Sequence, residues 1–336
     1  MLPLPSEIDT RPTPGMLAHI NPTPSAPLPV TVIITVFDRT GYLRGAIESV
    51  LAQHPSPAEI IVCDDSSSPS IRDICAPFAP QIEYRPNPHP LGVALSVRNA
   101  IQAAKYPLIA ILNDDDTWEP NFLQTLVPPL LANPEPVLSF ADHWLMDESS
   151  HIDPVATDRN TRRYARHHLP AGLQTNTPDL VLRRNAIPLA MAAVFRRDAI
   201  DCFRITPESA GAYDFLISCL LASTARPFFY SPARVSRYRI HPGMETARRH
   251  PSKTAPLVHI LESLLRLNLF PTHRSLIRTQ LARAHRAQAR AHLRQGDKPA
   301  ARQSFLASLK SRLTIKSALG YLLTFVPLRI HRILRN

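Results

Sequence analysis

Apolar, β-branched runs alternate with amphipathic helical segments from residue 30 onward, and this alternation constrains the fold more than any other feature of the sequence. The run "VTVIITVF" (30–37) is almost wholly apolar, as expected of a strand that is buried on both faces. Leu43, Ile47 and Leu51 then recur at helical spacing. Strands separated by helices of this length predict an α/β fold with a doubly wound sheet, in which ligands bind beyond the carboxyl ends of the strands.

The same alternation continues as far as residue 241. Further strands are predicted at 59–65, 81–87, 107–116, 136–147 and 233–241, and further helices at 92–105, 121–133 and 211–223. Two of these strands end in aspartates, which are Asp64 and Asp65 in one and Asp114, Asp115 and Asp116 in the other. Both clusters are therefore expected at the ligand-binding edge of the sheet.

Composition and charge limit the classes of protein to which this chain can belong. Of its 336 residues, 44% are apolar, which is enough for a large core, and the formal net charge is +11. A positive charge favours acidic partners such as nucleotides, phosphates or an anionic membrane surface. Nucleic acid is not predicted as a partner, because the sequence has neither an aromatic stacking platform nor a helix-turn-helix pattern.

The N-terminus and the cysteines predict a cytoplasmic protein. Residues 1–28 are rich in proline and lack the basic and apolar regions of a secretory signal, so we expect a disordered leader. The sequence has no run of about 18 apolar residues that would predict a transmembrane helix. Its 4 cysteines show no C-x-x-C spacing, which fits reduced thiols better than disulfides or a zinc site.

Three consecutive aspartates at a strand end are electrostatically costly, because neighbouring carboxylates raise each other's pKa unless a cation lies between them. A divalent ion such as Mg²⁺ or Mn²⁺ removes this cost, since it takes oxygen ligands and typically binds through one or two carboxylates and a substrate's phosphates. An N-cap for the following helix is the alternative explanation, but a cap needs only one aspartate. The stretch "LIAILNDDDTWEP" (108–120) therefore favours a site for a metal ion and a nucleotide.

Four segments stand in the order and at the spacing of one family's motifs. They are "VTVIITVFDRTGYLRGAIESVLAQ" (30–53), "EIIVCDDSSSPS" (59–70), "PLGVALSVRNAIQAAKYPLIAILNDDDTWEP" (90–120) and "RVSRYRIHPGMET" (234–246). Over residues 30 to about 245 the chain thus resembles glycosyltransferase family 2, the inverting enzymes of GT-A fold. The resemblance implies a mixed, doubly wound sheet and the transfer of a sugar from a nucleotide-diphosphate sugar to an acceptor hydroxyl.

The resemblance also implies which residues surround the nucleotide base of the donor. Thr35 and Phe37 match the threonine and the aromatic residue that border the base. Asp65 matches the aspartate that accepts a hydrogen bond from the base. Arg98 or Asn99, the Arg-Asn pair of the longest motif, is expected to help hold the donor.

The aspartate motif is implied to bind the diphosphate and the metal ion, Mn²⁺ or Mg²⁺. Asn113 and Asp114 are expected near the ribose and the diphosphate, and Asp115 is the expected principal metal ligand. Asn113 replaces the first acidic residue of the family's D-x-D-D motif, which leaves Asp115 and Asp116 to bind the metal. His241, in the closing motif, is expected to approach the metal or the diphosphate.

The catalytic base is the point at which the sequence departs most from the family's pattern. The base usually belongs to a Glu-Asp pair that opens a helix, but "ESAGAYDFLISCLLAS" (208–223) has Gly211 and Ala212 at those positions. Asp214 is the nearest carboxylate and is the predicted base, with Glu208 in reserve. An ordinary helix N-terminal carboxylate, favoured by the helix macrodipole, is the alternative role for Asp214.

Two regions lie outside these motifs. Residues 148–187 are polar and rich in arginine and histidine, which is typical of a solvated loop or of a lid that contacts the acceptor or a phosphate. From 251 to 336 the pattern is helical only, and a helical hairpin around "GDKPAA" resembles one tetratricopeptide-type unit. The tail from residue 317 is either a basic amphipathic segment on an anionic membrane surface or a helix packed on the catalytic domain.

These patterns predict a leader (1–28), a GT-A domain (29–250) and an α-helical extension (251–336). The expected enzyme uses a glycan or lipid-linked acceptor in cell-surface polysaccharide synthesis, in the cytoplasm or peripherally at the inner face of the membrane. A nucleotidyltransferase would need a glycine-rich basic loop, which "TVFDRTGYL" (35–43) does not supply. A non-catalytic GT-A protein that acts as a binding or scaffold module is the remaining alternative, because the base segment is altered.

Overall fold

A computed structural model describes residues 26–66, 68–244 and 254–325. Its strands are β1 (Leu28–Val36), β2 (Pro57–Asp64), β3 (Glu83–Pro86), β4 (Leu108–Asn113), β5 (Thr117–Trp118), β6 (Leu138–Met146), β7 (Gly172–Gln174), β8 (Ala193–Arg196) and β9 (Phe228–Arg239). Its helices are α1 (Thr40–Leu51), α2 (Pro69–Cys75), α3 (Val93–Ala103), α4 (Phe122–Leu126), α5 (Pro128–Ala132), α6 (Pro154–Arg163), α7 (Leu189–Ala192), α8 (Tyr213–Ala222), α9 (Ala255–Arg266), α10 (Arg274–Arg294), α11 (Lys298–Ser311) and α12 (Ile315–Leu323). The predicted leader up to residue 25, the end of the closing motif at 245–246 and the basic tail from residue 326 lie outside the described residues.

The strands form one mixed sheet in the order β3-β2-β1-β4-β8-β6-β9-β5, with β7 pairing to β9. The first four strands of this order are parallel, as the alternation of strands and helices predicts. β8 lies antiparallel between β4 and β6, and β9 is parallel to β6. The carboxyl ends of β1, β2, β4, β6 and β9 therefore share one edge of the sheet, where the candidate site lies.

Both faces of the sheet are covered by helices, because its central strands are apolar on both sides. Val32 and Ile34 of β1 pack with Leu43 and Ile47 of α1 on one face. Ile33 of β1 belongs to the cluster on the other face, together with residues of α3, α8, α9 and α10. Helices α9 and α10 thus share a continuous core with the sheet. Among the described residues, no helix is both long and apolar enough to cross a membrane.

Two predicted segments differ from the structure. The predicted helix at 121–133 is two short helices, since Pro128 has no backbone N–H to donate and instead begins α5. The region at 148–187 is ordered rather than an open loop, and it contains α6, which the Asp153 side chain caps by accepting a hydrogen bond from the Ala156 N–H at 2.8 Å. Short polar helices of this kind lack the apolar periodicity that reveals a helix in a sequence.

The predicted helical hairpin is confirmed as α10 and α11. Gly296, at φ 81°, lies in the turn between them, where a left-handed conformation favours glycine. Asp297 then caps α11 by accepting a hydrogen bond from the Ala300 N–H at 3.0 Å. The likeness of this hairpin to a tetratricopeptide unit stays a prediction.

Candidate active site

The carboxyl ends of β1 and β4 lie side by side and carry the centre of the site. Thr35 and Asn113 are partners in the parallel register, and the Thr35 hydroxyl donates to Asn113 Oδ1 at 3.4 Å. The backbone N–H of Asp114 donates to the Thr35 carbonyl at 3.1 Å, which anchors the aspartate loop to β1. The three aspartates thus leave β4 at a fixed point above the sheet edge.

Asp114 and Asp115 share a single guanidinium. Arg39, which precedes α1, contacts Asp114 Oδ1 at 2.5 Å through Nη2 and contacts Asp115 Oδ2 through Nη1. The backbone N–H of Phe37 lies 3.5 Å from Asp114 Oδ2. His241 Nε2, which arrives from the end of β9, lies 3.1 Å from Asp115 Oδ2. Two carboxylates, one guanidinium and one imidazole therefore converge at the sheet edge.

Asp116 points into the protein instead. It is fully buried, its Oδ1 accepts a hydrogen bond from the Arg239 N–H at 2.9 Å, and its Oδ2 accepts one from Asn113 Nδ2 at 3.3 Å. The Arg239 side chain donates to the Asp115 carbonyl at 2.8 Å and stacks on Tyr42, with 4.4 Å between the guanidinium carbon and the ring centre. These contacts bind the aspartate loop to β9 and fix its conformation.

The electrostatics of the loop follow from its burial. Desolvation raises the pKa of Asp114 to about 7, although the Arg39 guanidinium opposes this shift. Burial and the neighbouring Asp115 carboxylate raise the pKa of Asp116 well above its usual range. A second positive charge near these groups would stabilise their ionised forms.

The motifs of the sequence assign no role to Arg39 and no structural role to Arg239. Arg39 follows Thr35 and Phe37 of the first motif. The signal available in the sequence was therefore a cation placed shortly after the first strand. No local pattern marks Arg239 as a structural residue, since its partners Asp115, Asp147 and Ser150 are distant in the sequence.

The Asp65 carboxylate accepts hydrogen bonds from residues of the protein itself. Its Oδ1 accepts hydrogen bonds from Asn87 Nδ2 at 2.8 Å and from the Leu91 N–H at 2.7 Å, and its Oδ2 accepts one from the Gly92 N–H at 2.8 Å. Gly92 has a φ of 85°, a conformation that favours glycine at this turn before α3. Asp65 therefore positions the start of α3, and its contact with a nucleotide base stays a prediction.

The other predicted donor-binding residues stand at the solvent boundary. Phe37 is 54% exposed beside the aspartate loop, so its ring is available to a planar ligand. Arg98 is half-buried on α3, its Nε makes no hydrogen bond to any described residue, and Asn99 is exposed. The Arg98 guanidinium is therefore a cation that the described protein leaves without a carboxylate partner.

The N-terminus of α8 meets the sheet edge through Tyr213. Its hydroxyl lies 3.5 Å from Asn113 Oδ1, and the ring is buried. Asp214 follows, half-buried, and its Oδ1 accepts a hydrogen bond from the Phe215 N–H at 2.7 Å. Burial raises the pKa of Asp214, which makes its carboxylate a stronger base than an exposed one. Glu208, the reserve candidate, is exposed.

The donor atoms fit a divalent metal that a bound nucleotide helps to hold. Within the described ranges, no group of three or more histidine, cysteine, aspartate or glutamate side chains is arranged to hold a metal ion. Asp115 and His241 nevertheless offer oxygen and nitrogen atoms that face each other at 3.1 Å. Two protein ligands suffice for an ion whose other ligands are phosphates and waters. Arg39 is the cation that balances the aspartates when no metal is bound.

The chain is similar to proteins of one known family. Residues 31–203 match the family model described as Glycosyl transferase family 2. The UDP-Glc:alpha-D-GlcNAc-diphosphoundecaprenol beta-1,3-glucosyltransferase WfgD of Escherichia coli is 30% identical over 105 residues, which are 31% of this chain and 42% of that protein. The curated relatives are matched over only 31% to 45% of their own lengths.

Solved structures show the fold. The crystal structure of S. aureus TarS 1-349 aligns with a TM-score of 0.64 at 11% identity and covers 88% of both chains. The mannosyltransferase PcManGT of Pyrobaculum calidifontis, solved with GDP-Man and Mn²⁺, aligns with a TM-score of 0.54 at 16% identity, over 92% of this chain and 84% of that one. The mixed sheet with its C-terminal helices is therefore the GT-A fold, as the motifs predicted.

Replacing Arg39 tests how the aspartates are balanced. We expect Arg39→Met to lower the stability by about 1–3 kcal/mol in EDTA, because Asp114 and Asp115 lose their charged partner. Mn²⁺ should then raise the melting temperature of the variant more than that of the wild type. Arg44→Met, which removes an exposed arginine of α1, is the matched control. Equal melting temperatures for the two variants in EDTA would show that Arg39 does not balance the aspartates.

Proposed function

Because this chain belongs to glycosyltransferase family 2, and is therefore a glycosyltransferase, we propose that it transfers a sugar from a nucleotide-diphosphate sugar to an acceptor hydroxyl with inversion at the anomeric carbon. The convergence of Asp114, Asp115, His241 and Arg39 at the carboxyl edge of the sheet carries this proposal. Such a cluster suits the diphosphate of a donor, and TarS, a protein of similar fold, was solved in complex with UDP-GlcNAc.

The leaving group needs positive charge. As the bond between the anomeric carbon and the diphosphate oxygen breaks, its electron pair stays on the diphosphate. Asp115 and His241 are the residues that would hold a divalent metal, and Asp114 would lie near the ribose and diphosphate. A bound Mn²⁺ or Mg²⁺ supplies Lewis-acid stabilisation of the departing diphosphate. We assign Asp116 a lesser part at the metal, since both of its oxygens already accept hydrogen bonds.

The acceptor needs a base. Its hydroxyl oxygen forms the new bond to the anomeric carbon on the side opposite the diphosphate, and its proton passes to a carboxylate. Asp214 is our candidate, because it opens α8 beside Tyr213 and burial makes it more basic. General-base catalysis of this kind contributes typically 10²–10⁴-fold to the rate.

Thr35 and Phe37 would contact the base of the nucleotide, and Asp65 would support this part of the donor site. Phe37 offers an exposed ring, and Thr35 lies at the adjoining strand end. Asp65 contributes through the turn at Gly92, where it fixes the start of the helix that carries Arg98 and Asn99. Arg98 lacks a carboxylate partner among the described residues, which suits contact with an anionic donor.

The C-terminal helices suit contact with an anionic membrane. Residues 253–336 contain sixteen lysines and arginines and only two acidic residues, so a net charge of +14 is concentrated in this quarter of a chain whose total is +11. On α12 and just beyond it, Ile315, Leu319, Leu322 and Phe325 are 79%, 55%, 60% and 55% exposed at helical spacing. An apolar face among basic residues binds anionic lipid, which is enriched in the cytoplasmic leaflet.

A lipid-linked acceptor fits this location. The Escherichia coli relative is named for an acceptor attached to diphosphoundecaprenol. We extend that acceptor class, and a role in cell-surface polysaccharide synthesis, to this chain. The four cysteines are free, in agreement with a reducing cytoplasm.

Asp115→Asn tests the proposed donor site. The substitution keeps the side-chain shape but removes the charge, so we expect affinity for one of UDP, dTDP or GDP in Mn²⁺ to fall at least about tenfold. Affinity in EDTA should not change. Isothermal titration calorimetry measures both values, with Asp73→Asn, an exposed aspartate of α2, as the control. Unchanged affinity in Mn²⁺ would exclude Asp115 as a metal ligand.

Asp214→Asn tests the base. We expect turnover to fall by at least about 10²-fold while donor affinity is preserved. Since the base must be ionised and burial raises its pKa, the wild-type rate should fall as the pH drops through that raised value, and the variant should lose this dependence. Glu208→Gln serves as the comparison. Normal turnover in Asp214→Asn with slow turnover in Glu208→Gln would transfer the role to Glu208.

Replacing Leu319 and Leu322 together with serine tests the membrane contact. Each leucine contributes roughly 1.5–3 kcal/mol when it is buried, so binding to vesicles that contain phosphatidylglycerol should weaken at least about tenfold. Co-sedimentation with these vesicles, and with neutral ones, measures the effect. Val155→Ser, which changes an equally exposed apolar residue on α6, is the control. Binding that is insensitive to the double substitution or to anionic lipid would rule out this surface.

A further inference from the structure

A cavity lies between three parts of the chain: β6, β9, and the end of α6 with the segment that follows it. Its volume is about 450 Å³, which is in the range of small-molecule sites. The lining residues are Asp142, Trp144, Thr161, Arg166, His167, Leu169, Tyr230, Pro232 and Arg234. Neither the donor site nor the base uses any of these residues, although the arginine- and histidine-rich motif at 159–168 supplies three of the lining side chains.

Two arginines are held in the cavity wall. Arg166 is 2% exposed and donates from Nε to Asp142 Oδ1 at 2.9 Å and from Nη2 to Asn160 Oδ1 at 2.5 Å. Its Nη1 makes only a long contact of 3.5 Å with the Ala186 carbonyl. A buried guanidinium with one poorly satisfied nitrogen is well suited to donate to an anion in the cavity.

Arg234 is fixed from two sides. Its guanidinium carbon lies 4.6 Å from the centre of the Trp144 ring, and its Nη2 donates to Asp158 Oδ1 at 2.5 Å. Its Nε lies 3.8 Å from Asp142 Oδ2, which is also the acceptor for the Thr161 hydroxyl at 2.5 Å. Asp142, the single carboxylate of the lining, is thus shared by Arg166, Arg234 and Thr161. Its negative charge is compensated by two guanidinium groups, and these groups also face an anion that enters the cavity.

Tyr230 supplies an unused hydroxyl. The residue is 2% exposed, its ring packs on Phe140 with 4.9 Å between ring centres, and its hydroxyl makes no hydrogen bond to any other residue in the described part of the chain. Since Tyr230 lines the cavity, its hydroxyl is free to form a hydrogen bond with water or with a ligand there. Together with the rings of Trp144 and Pro232 and the side chain of Leu169, it forms a largely apolar wall with one polar atom, on which the C–H face of a sugar ring can pack.

The sheet register places this cavity close to the donor site. Asp142 pairs with Arg234, Trp144 with Arg237 and Met146 with Arg239, whose backbone binds Asp116. Trp144 precedes Met146 by two residues, a separation of about 7 Å along a strand. Tyr230 also belongs to the apolar cluster that contains Tyr213 and Leu216 of α8. The cavity and the helix of the candidate base therefore share one face of the sheet.

We propose that this cavity is the acceptor subsite and that it takes a sugar bearing a phosphate group, with Arg166 and Arg234 on the phosphate and Tyr230 and Trp144 on the sugar. The proposal rests on the proposed function, because it names the acceptor of that reaction. A phosphate gains more than a neutral sugar from paired guanidinium groups, since hydrogen bonds between two charged partners are about twice as strong as neutral ones. The free sugar phosphate and a lipid-linked sugar phosphate share this chemistry.

Calorimetric titration of the full chain with glucose 1-phosphate tests the proposal. The titration is done in Mn²⁺ and a saturating concentration of whichever of UDP, dTDP or GDP the chain binds, so that the donor site is filled. We expect binding at least about tenfold tighter than that of glucose or of inorganic phosphate alone. Arg234→Met should weaken it about tenfold, since methionine keeps contact with Trp144 but carries no charge. Arg183→Met is the matched control, because Arg183 pairs with Asp179, which retains Arg184 as a partner.

Tyr230→Phe provides a second variant that should fold normally, because the hydroxyl it removes has no partner among the described residues. We expect an unchanged melting temperature and binding of glucose 1-phosphate weakened about fivefold. Two results would overturn the proposal. One is that the wild type does not bind glucose 1-phosphate, and the other is that Arg234→Met and Tyr230→Phe bind it as tightly as the wild type does. Binding of UDP, dTDP and GDP is measured separately in the same samples. Loss of binding of all three nucleotides would contradict the donor site, and the result for the cavity would remain distinct.

An alkyl phosphodiester of glucose distinguishes the two sources of the ligand. Equal or tighter binding of the diester, weakened by Arg234→Met in the same proportion, supports the cavity with a lipid-linked acceptor. Binding of the monoester alone supports the cavity with a free sugar phosphate. Binding of the diester that neither variant alters would place it outside the cavity and overturn the proposal for that ligand.

Discussion

The site depends on compensating the charge of carboxylates that the fold forces together. The parallel pairing of β1 and β4 delivers Asp114, Asp115 and Asp116 to the same point, and burial makes the ionised forms of Asp114 and Asp116 costly. The Arg39 guanidinium, from the segment after β1, supplies positive charge, and the His241 imidazole, from the end of β9, lies 3.1 Å from Asp115 Oδ2. One more cation would stabilise these carboxylates further, which is why we propose a metal-bound diphosphate at this edge.

The same sheet connects this centre with the proposed acceptor cavity. β6 and β9 run parallel, so their carboxyl ends reach the aspartate loop while their middle residues form the cavity. Arg239 secures the junction, because it contacts the aspartate loop and the turn after β6 at Asp147. If both proposals hold, one sheet would bind donor and acceptor, which would favour a fixed orientation between the reacting groups.

The sequence predicted those parts of the molecule that depend on local pattern. Apolar runs and helical periodicity located β1, β2, β4, α1, α3 and α8, and the aspartate motif predicted the cluster around which the candidate site is described. It missed Arg39, because nothing local shows that a residue after β1 faces one after β4. It also missed the cavity, since Asp142, Arg166 and Arg234 come from segments that only the tertiary fold brings together. The order within residues 148–187 was hidden because its helix is polar.

We propose that the edge formed by Asp115 and His241 binds a metal together with the donor's diphosphate. The most direct measurement is the anomalous scattering of Mn²⁺ in crystals of this protein soaked with Mn²⁺ and a nucleoside diphosphate. We expect one strong peak at coordinating distance from the Asp115 carboxylate, with Arg39 displaced from that oxygen and the diphosphate bound to the ion. A bound nucleotide with Arg39 still contacting both aspartates, and no anomalous peak between them and the diphosphate, would contradict the claim.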